Sequence, residues 1–315
     1  MAIEIPKAGY TGTIKEIPLG DPAKGLKAGG EAAYPFHLFE GAMPNAPKIA
    51  MDVLDAAPDD WPKALTDVYG DVLDDPVAWA KKNVEEFGAD LIDLELVSID
   101  PNGLNRGVDE AVAVVKSVVD AIDVPVIVWG CGDADKDSEV LRAIMEACEG
   151  KNLILGPVEE ANHKKLGAAA IGFKHSIIAS SPIDINLAKQ LNILLGNLGV
   201  PDSQILIDPT TGGLGYGLEY SYSVMERARM AALTQEDDKL QFPMVCNIAK
   251  EVWKTREAKL PAEEAPELGK ATERGVLMES VTAVSLLQAG AGIVILRHPD
   301  TVKLVRKFIG ELIEG

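Results

Sequence analysis

The sequence predicts an eight-stranded parallel α/β barrel behind an N-terminal extension, and three observations carry that prediction. Short apolar runs rich in branched residues recur eight times between residues 48 and 296. Stretches of helical character separate them, several opened by a capping residue followed by proline. The alternation is strict from start to finish. Strands joined by crossover helices must pair in parallel, and eight such units close a barrel of typical size. An open doubly wound sheet is the alternative, which strict alternation disfavours.

Residues 1–47 are rich in Gly and Pro and lack sustained periodicity, so they read as an extension, a hairpin or cover, ahead of a barrel over 48–315. The aromatic stretch Tyr34-Pro35-Phe36-His37-Leu38-Phe39 is expected to pack under the domain. Residues 49–54 form the first strand. Asp75-Pro76 places an N-cap before a proline at the first helical position and opens a helix to Phe87, closed by Gly88. Residues 91–97 are the second strand, 108–122 a helix and 126–129 the third strand. Asp137-Ser138 opens the next helix, ending near Gly150, and 152–155 are the fourth strand. A helix around 163–171 precedes the fifth strand, 176–179. Ser181-Pro182-Ile183-Asp184 then reads as N-cap, proline and capping-box acid, with its helix running to Leu198. The sixth strand is 204–207, followed by a helix over 219–235. The seventh strand, 243–247, precedes a long helix over 272–289. The eighth, 291–296, is followed by a terminal helix led by Pro299-Asp300.

In such a barrel, sites form on the loops at the C-terminal ends of the strands. The longest of these loops are expected at 61–74 and 250–271. The sixth is chemically the richest: Asp208-Pro209-Thr210-Thr211-Gly212-Gly213-Leu214-Gly215-Tyr216-Gly217 packs four glycines into six residues. Glycine lets backbone approach a ligand and tolerates positive φ. The competing reading is a merely mobile surface loop. No Lys-Ser/Thr phosphate signature follows and the spacing is not that of a dinucleotide loop, so a nucleotide site is not expected. In Leu91-Ile92-Asp93-Leu94-Glu95-Leu96 the period of two turns Asp93 and Glu95 to one face, into the barrel, with Asp52 a similar case. Either they serve a site or they pair internally with a cation such as Arg297.

A chain of 315 residues, 47% hydrophobic and 25% charged, has the composition of a soluble globular protein. Its net charge of −19 argues against nucleic acid and anionic membrane as partners. The start lacks a basic segment followed by an apolar run, and no apolar run approaches a membrane span, so a cytoplasmic location is expected. Cys131, Cys148 and Cys246 are scattered and form no C-x-x-C pair, which excludes an iron–sulfur cluster or zinc site held by this chain alone. Cys131 and Cys246 end strands, where they either pack or line a site. His37, His163, His175 and His298 show no ligand spacing.

The segments from Lys174 through Ser176-Ile177-Ile178-Ala179-Ser180-Ser181-Pro182-Ile183-Asp184, the loop Asp208 to Gly217, Thr272-Glu273-Arg274-Gly275-Val276 and Arg297-His298-Pro299 together resemble one family. It is the small subunit of the corrinoid iron–sulfur protein of the acetyl-CoA pathway, related to the delta subunit of acetyl-CoA decarbonylase/synthase. Gly130-Cys131-Gly132-Asp133 belongs to the same resemblance. It implies a barrel that pairs with a large subunit carrying the iron–sulfur cluster and a cobamide, with the barrel top facing the corrin. It further implies methyl transfer onto cobalt by a separate methyltetrahydrofolate methyltransferase, and onward transfer to acetyl-CoA synthase. Cofactor contacts are then expected from Asp208, Thr210, Thr211, Gly212, Gly213, Gly215, Tyr216 and Asn247, with no metal ligand and no catalytic residue in this chain. The barrel is also similar to pterin-binding methyltransferases, in which an Asp after the sixth strand and an Asn at the seventh hold the pterin. Asp208 and Asn247 match those places, whereas Gly130-Cys131-Gly132-Asp133 stands where a further Asn belongs. The pocket therefore reads as a relic adapted to cover a corrin. A pterin-dependent corrinoid methyltransferase is the alternative, and a barrel that only scaffolds a complex is a third.

Overall fold

The first barrel strand begins at Lys48, and what precedes it is a plug. In the computed structural model, which describes residues 5–214 and 217–314, the extension forms a small antiparallel ribbon of β1 (Ile17–Pro18) and β2 (Lys27–Ala28). Ile14, Ile17 and Leu19 are buried. The extension's backbone is tied to segments that lead into barrel strands: Lys15 N–H donates to the Gln241 carbonyl at 2.9 Å, and Asn152 Nδ2 donates to the Gly20 carbonyl at 2.6 Å. These contacts lie at the N-terminal ends of the strands and leave the opposite mouth to the loops.

Eight parallel strands then close on themselves. In chain order the elements are β3 (Lys48–Leu54), α1 (Lys63–Tyr69), α2 (Pro76–Glu85), β4 (Leu91–Glu95), α3 (Val108–Ala121), β5 (Val126–Trp129), α4 (Ala134–Ala147), β6 (Ile154–Val158) and α5 (His163–Phe173). They continue with β7 (Ser176–Ser180), α6 (Ile185–Leu198), β8 (Ile205–Asp208), α7 (Leu218–Thr234), β9 (Met244–Asn247), α8 (Ile248–Trp253) and α9 (Arg256–Lys259). The last are α10 (Ala271–Gln288), β10 (Ala291–Leu296) and α11 (Pro299–Glu314). Closure is made by β10 against β3, with Val294 opposite Ile49 and Ile295 opposite Ala50. Strands buried on both faces favour the Val- and Ile-rich runs seen here, because one face meets the helices and the other fills the barrel. The fold expected from alternation is the fold observed.

Two helix starts differ from expectation, each for an identifiable reason. Helix α4 begins at Ala134, because the Asp133 carboxylate caps it by accepting from Lys136 N–H. Asp137, which the sequence assigns to that cap, turns inward and accepts from the N–H groups of Cys131 and Gly132, each at 2.9 Å. It pins the turn after β5. Helix α6 begins at Ile185, capped by Asp184 rather than Ser181. Ser181 stays with the strand end, where its N–H donates to the Asp208 carbonyl. Strand β6 runs through Gly156-Pro157 rather than stopping before them. The segments 61–74 and 250–271, expected as loops, carry α1 and, in the second case, α8 and α9. Their helices are short and poorly marked, which is why periodicity misses them. The Asp75 cap appears as expected, accepting from Val77 and Ala78 N–H, an arrangement worth about 1 kcal/mol. Among the described residues no helix is long and apolar enough to cross a membrane.

Candidate functional site

The C-terminal mouth of the barrel is built on acids that the strands push inward. Asp52 and Asp93 stand opposite one another in the β3–β4 register. Glu95 follows on the same face of β4. All three are buried. Two cations answer them from distant elements. Arg297, immediately after β10, donates from Nε to Asp52 Oδ2 at 2.7 Å and pairs with it again through its second nitrogen. Its guanidinium lies 4.5 Å from the Trp61 ring, which stacks beneath it. Lys250, on the first turn of α8, reaches Glu95 at 3.6 Å.

The charge states follow from this partnering. Burial pushes the Asp52 carboxyl up to about 6 even though Arg297 pulls it down. Asp93 rises well above the ordinary carboxylate range, first by burial and then by repulsion from Glu95 and Asp52. Neither Asp93 oxygen has a hydrogen-bond partner. Asp93, with no cation or donor on its carboxyl, is the member of the trio whose neutral form burial and its acidic neighbours favour most. Lys250 is held in its charged form by Glu95 foremost.

The glycine-rich loop rises beside this mouth. Its root is fixed by β8: Asp208 Oδ1 accepts from Thr210 N–H at 2.9 Å, an aspartate turn. Thr210 sits at φ +64°, rare for a β-branched residue, and is retained there because its hydroxyl donates to the Ser181 carbonyl at 2.6 Å. Ser221 of α7 then bridges the loop, donating to the Thr210 carbonyl and accepting from Gly212 N–H. Gly213 takes φ +70°, with its α-carbon against the Gly217 backbone. The loop is thus held from both strand and helix rather than free. Between it and the segment carrying Glu251, Lys254 and Arg256 opens a cleft of about 740 Å³, with Thr211, Gly212 and Gly213 on one wall. Asp208 is buried, which pushes its carboxyl up to about 6.

The structure gathers Asp208, Thr210, Thr211, Gly212 and Gly213 into one ridge. Gly215 and Tyr216 lie outside the described residues. Asn247 ends the neighbouring strand, but its side chain is committed: Nδ2 donates to Glu95 Oε1 at 2.8 Å and Oδ1 accepts from Lys250 N–H at 3.2 Å. Its visible work is to orient Glu95 and start α8. Sequence reasoning missed Lys250 as a partner of Glu95, the stacking of Trp61 on Arg297, and the hydroxyls of Ser180 and Ser181. Lys250 had a faint signal, three residues after a strand-ending Asn that caps a helix. Cys246 is buried within β9 and its thiol is pushed up out of the reactive range; Cys131 is half-buried, with its thiol raised by burial to about 11. Among the described residues no cluster of His, Cys, Asp and Glu is arranged to hold a metal ion.

The family model for the CO dehydrogenase/acetyl-CoA synthase delta subunit, CdhD, matches residues 16–308. The chain belongs to the CdhD family. Relatives of this CdhD chain include acetyl-CoA decarbonylase/synthase complex subunit delta 1 of Methanosarcina thermophila, 36% identical over 95% of this chain and 71% of that protein. Subunit delta of Methanothermobacter thermautotrophicus is 34% identical, over 97% of this chain and 77% of its own. Among solved structures, Xanthomonas albilineans dihydropteroate synthase with indole-2-carboxylic acid and 6-chloroguanine superposes with a TM-score of 0.60. It is 15% identical and covers 96% of this chain and 99% of its own, a likeness of fold alone. Vibrio fischeri 7,8-dihydropteroate synthase gives 0.58 at 13% identity, over 87% and 96%.

Proposed function

We propose that this CdhD-family chain is the small, barrel subunit of a corrinoid iron–sulfur protein within an acetyl-CoA decarbonylase/synthase-type system. In this reading its mouth covers a cobamide held by a large subunit, which also carries the iron–sulfur cluster. The observation that supports it most is the ridge of residues 208–213, a positioned glycine-rich backbone with hydroxyls on either side, in a chain whose family match spans nearly its whole length.

The residues present fit such a group. A corrin is a broad, largely apolar disc rimmed by amides, so it calls for close backbone and neutral hydrogen-bonding groups. The Thr211 hydroxyl is buried beside the Cys246 thiol without a hydrogen bond of standard geometry. That hydroxyl and the Thr211–Gly213 backbone would hold the amide rim. When bound, the cobamide supplies a cobalt centre that accepts a methyl group and releases it. This chain's part is to bind, cover and exclude water. Its charged mouth groups are mostly tied to one another, Asp52 to Arg297 and Glu95 to Lys250 and Asn247. The delivering partner is a methyltetrahydrofolate methyltransferase and the receiving one an acetyl-CoA synthase, all in the cytoplasm.

The alternative, a pterin-dependent corrinoid methyltransferase, needs Asp208 and Asn247 to face one ligand. The engagement of Asn247 with Glu95 and Lys250 weighs against it. Calorimetry of the isolated chain with methyltetrahydrofolate separates the two, since micromolar binding would sink the carrier reading. Purification of the native complex should bring a cluster-bearing chain and a corrinoid absorption spectrum; a monodisperse 33.6 kDa monomer in the presence of that chain would also refute it.

A further inference from the structure

A second concavity, which shares Thr210 with the first, lies between the loop after β6, the end of β7 and helix α6. It encloses about 470 Å³ and is lined mainly by apolar groups, among them Pro182, Leu187, Leu191 and Leu194. The polar residues on its lining are Glu159, Glu160, Ser180, Ser181, Gln190 and Thr210. Ser180 and Ser181 are 7% and 4% exposed and line its floor. Ser181 Oγ has no hydrogen-bond partner, which is costly for a buried hydroxyl unless something occupies the space before it. Glu159, also on the wall, is half-buried and has no ion-pair partner among the described residues. No Lys or Arg lines the cleft.

We infer that this cleft is a binding site in its own right, for a largely apolar molecule whose polar end is rich in N–H donors, an amide or amidinium. The apolar lining sets the body of the ligand. Glu159 and the two serines set its head: a carboxylate accepts only, and hydroxyls can turn to accept. A carboxylate or phosphate head meets an uncompensated negative charge there and is rejected. The size suits a molecule of one or two fused rings. Burial raises the Glu159 carboxyl in the empty cleft, and a donor head relieves that cost. The site rests on its own lining, not on the corrinoid reading, and stands if that reading fails.

Benzamidine and benzoate are matched probes, identical in ring and opposite in head. Titration of the full-length chain, followed by amide shifts in isotope-labelled protein, should show saturable one-to-one binding of benzamidine with shifts at Ser181 and Leu191. Benzoate should give none. Leu194→Trp, which fills the cleft, should weaken benzamidine at least tenfold, and Ser181→Ala and Glu159→Gln several-fold each. Circular dichroism confirms that each variant is folded, and Ser181→Ala, the smallest change, carries the test if Leu194→Trp does not fold. Equal binding of benzoate, shifts confined to residues 251–257, or benzamidine affinity unchanged in both Ser181→Ala and Glu159→Gln would overturn the assignment.

Discussion

Replacing Gly213 by alanine, with Gly212→Ala as its neighbour control, isolates the geometry of the ridge. A β-carbon on Gly213 meets the Gly217 backbone, with its carbonyl carbon at 2.6 Å and oxygen at 2.7 Å, and the residue sits at φ +70°. The left-handed conformation alone costs an L-residue about 1–2 kcal/mol, and the backbone clash adds to it because neither partner is a flexible side-chain end. On Gly212 the β-carbon meets only Ile183 Cδ1 at 3.5 Å, ordinary contact. That control should be neutral, or slightly stabilising through the unfolded chain by about 0.4–1 kcal/mol. The strain in Gly213→Ala is local, so the loop escapes by leaving its conformation while the barrel stays folded. A cost of about 1.4 kcal/mol lowers the ratio of competent to escaped loop tenfold, and apparent affinity falls by up to the same factor as the escaped form comes to dominate. Titration of the corrinoid-bearing partner should therefore weaken by up to about tenfold for Gly213→Ala and stay within twofold for Gly212→Ala. Limited proteolysis should cut the loop faster in the first alone. Equal affinity and equal cleavage for the two variants would show that the ridge is ordinary scaffold.

Arg297→Met leaves the Asp52 carboxylate buried without its cation and should cost about 3–5 kcal/mol in denaturant unfolding; adding Asp52→Asn should return most of it, and a single variant at wild-type stability would refute the pairing. The carboxyls of Asp52 and Asp208 are raised to about 6 and that of Glu279 to about 7. Each binds its proton more tightly folded than unfolded, so the stability it contributes is full below the ordinary carboxylate range and is lost as pH rises through 6 to 7. The unfolding midpoint should fall from pH 5 to pH 8, and Asp208→Asn should shrink that step. Alkylation should reach Cys131 alone in the native chain and keep accelerating beyond pH 9, with Cys148 and Cys246 reacting only on unfolding. Chain expressed alone under anaerobic conditions should carry no stoichiometric iron; four irons per chain would overturn the assignment of the cluster to a partner.

What was legible in the sequence is what adjacent residues encode. The β3 to β10 runs announce themselves through branched side chains, and the ridge through its glycines and Asp208-Pro209. Cap positions were ambiguous where two cap-capable residues lie close together, as Asp133 and Asp137 do, since either suits a helix start and only the fold sends Asp137 to the turn at Cys131. The inward acids could be read from the period of β4, but not the fate of each. Arg297 and Asp52 are 245 positions apart, and Asn247 and Glu95 are 152. Such contacts exist only once the barrel has curled round, so no local pattern distinguishes a paired Asp52 from the unpartnered Asp93.

Closure of β10 on β3 also sets a timetable for the growing polypeptide. The first barrel strand leaves the ribosome long before the last, and at about 5–20 residues per second roughly 12–50 s pass before Arg297 follows Asp52. Throughout that interval β3 is a bare edge, its amides and carbonyls open to any other nascent strand. An aspartate in the middle of that edge, with a second beside it on β4, keeps the pair hydrated and discourages stacking with a neighbour of like charge. When β10 arrives, its trailing arginine neutralises the same carboxylate and draws it inside. The acid that guards the unfinished barrel is the one that latches it shut.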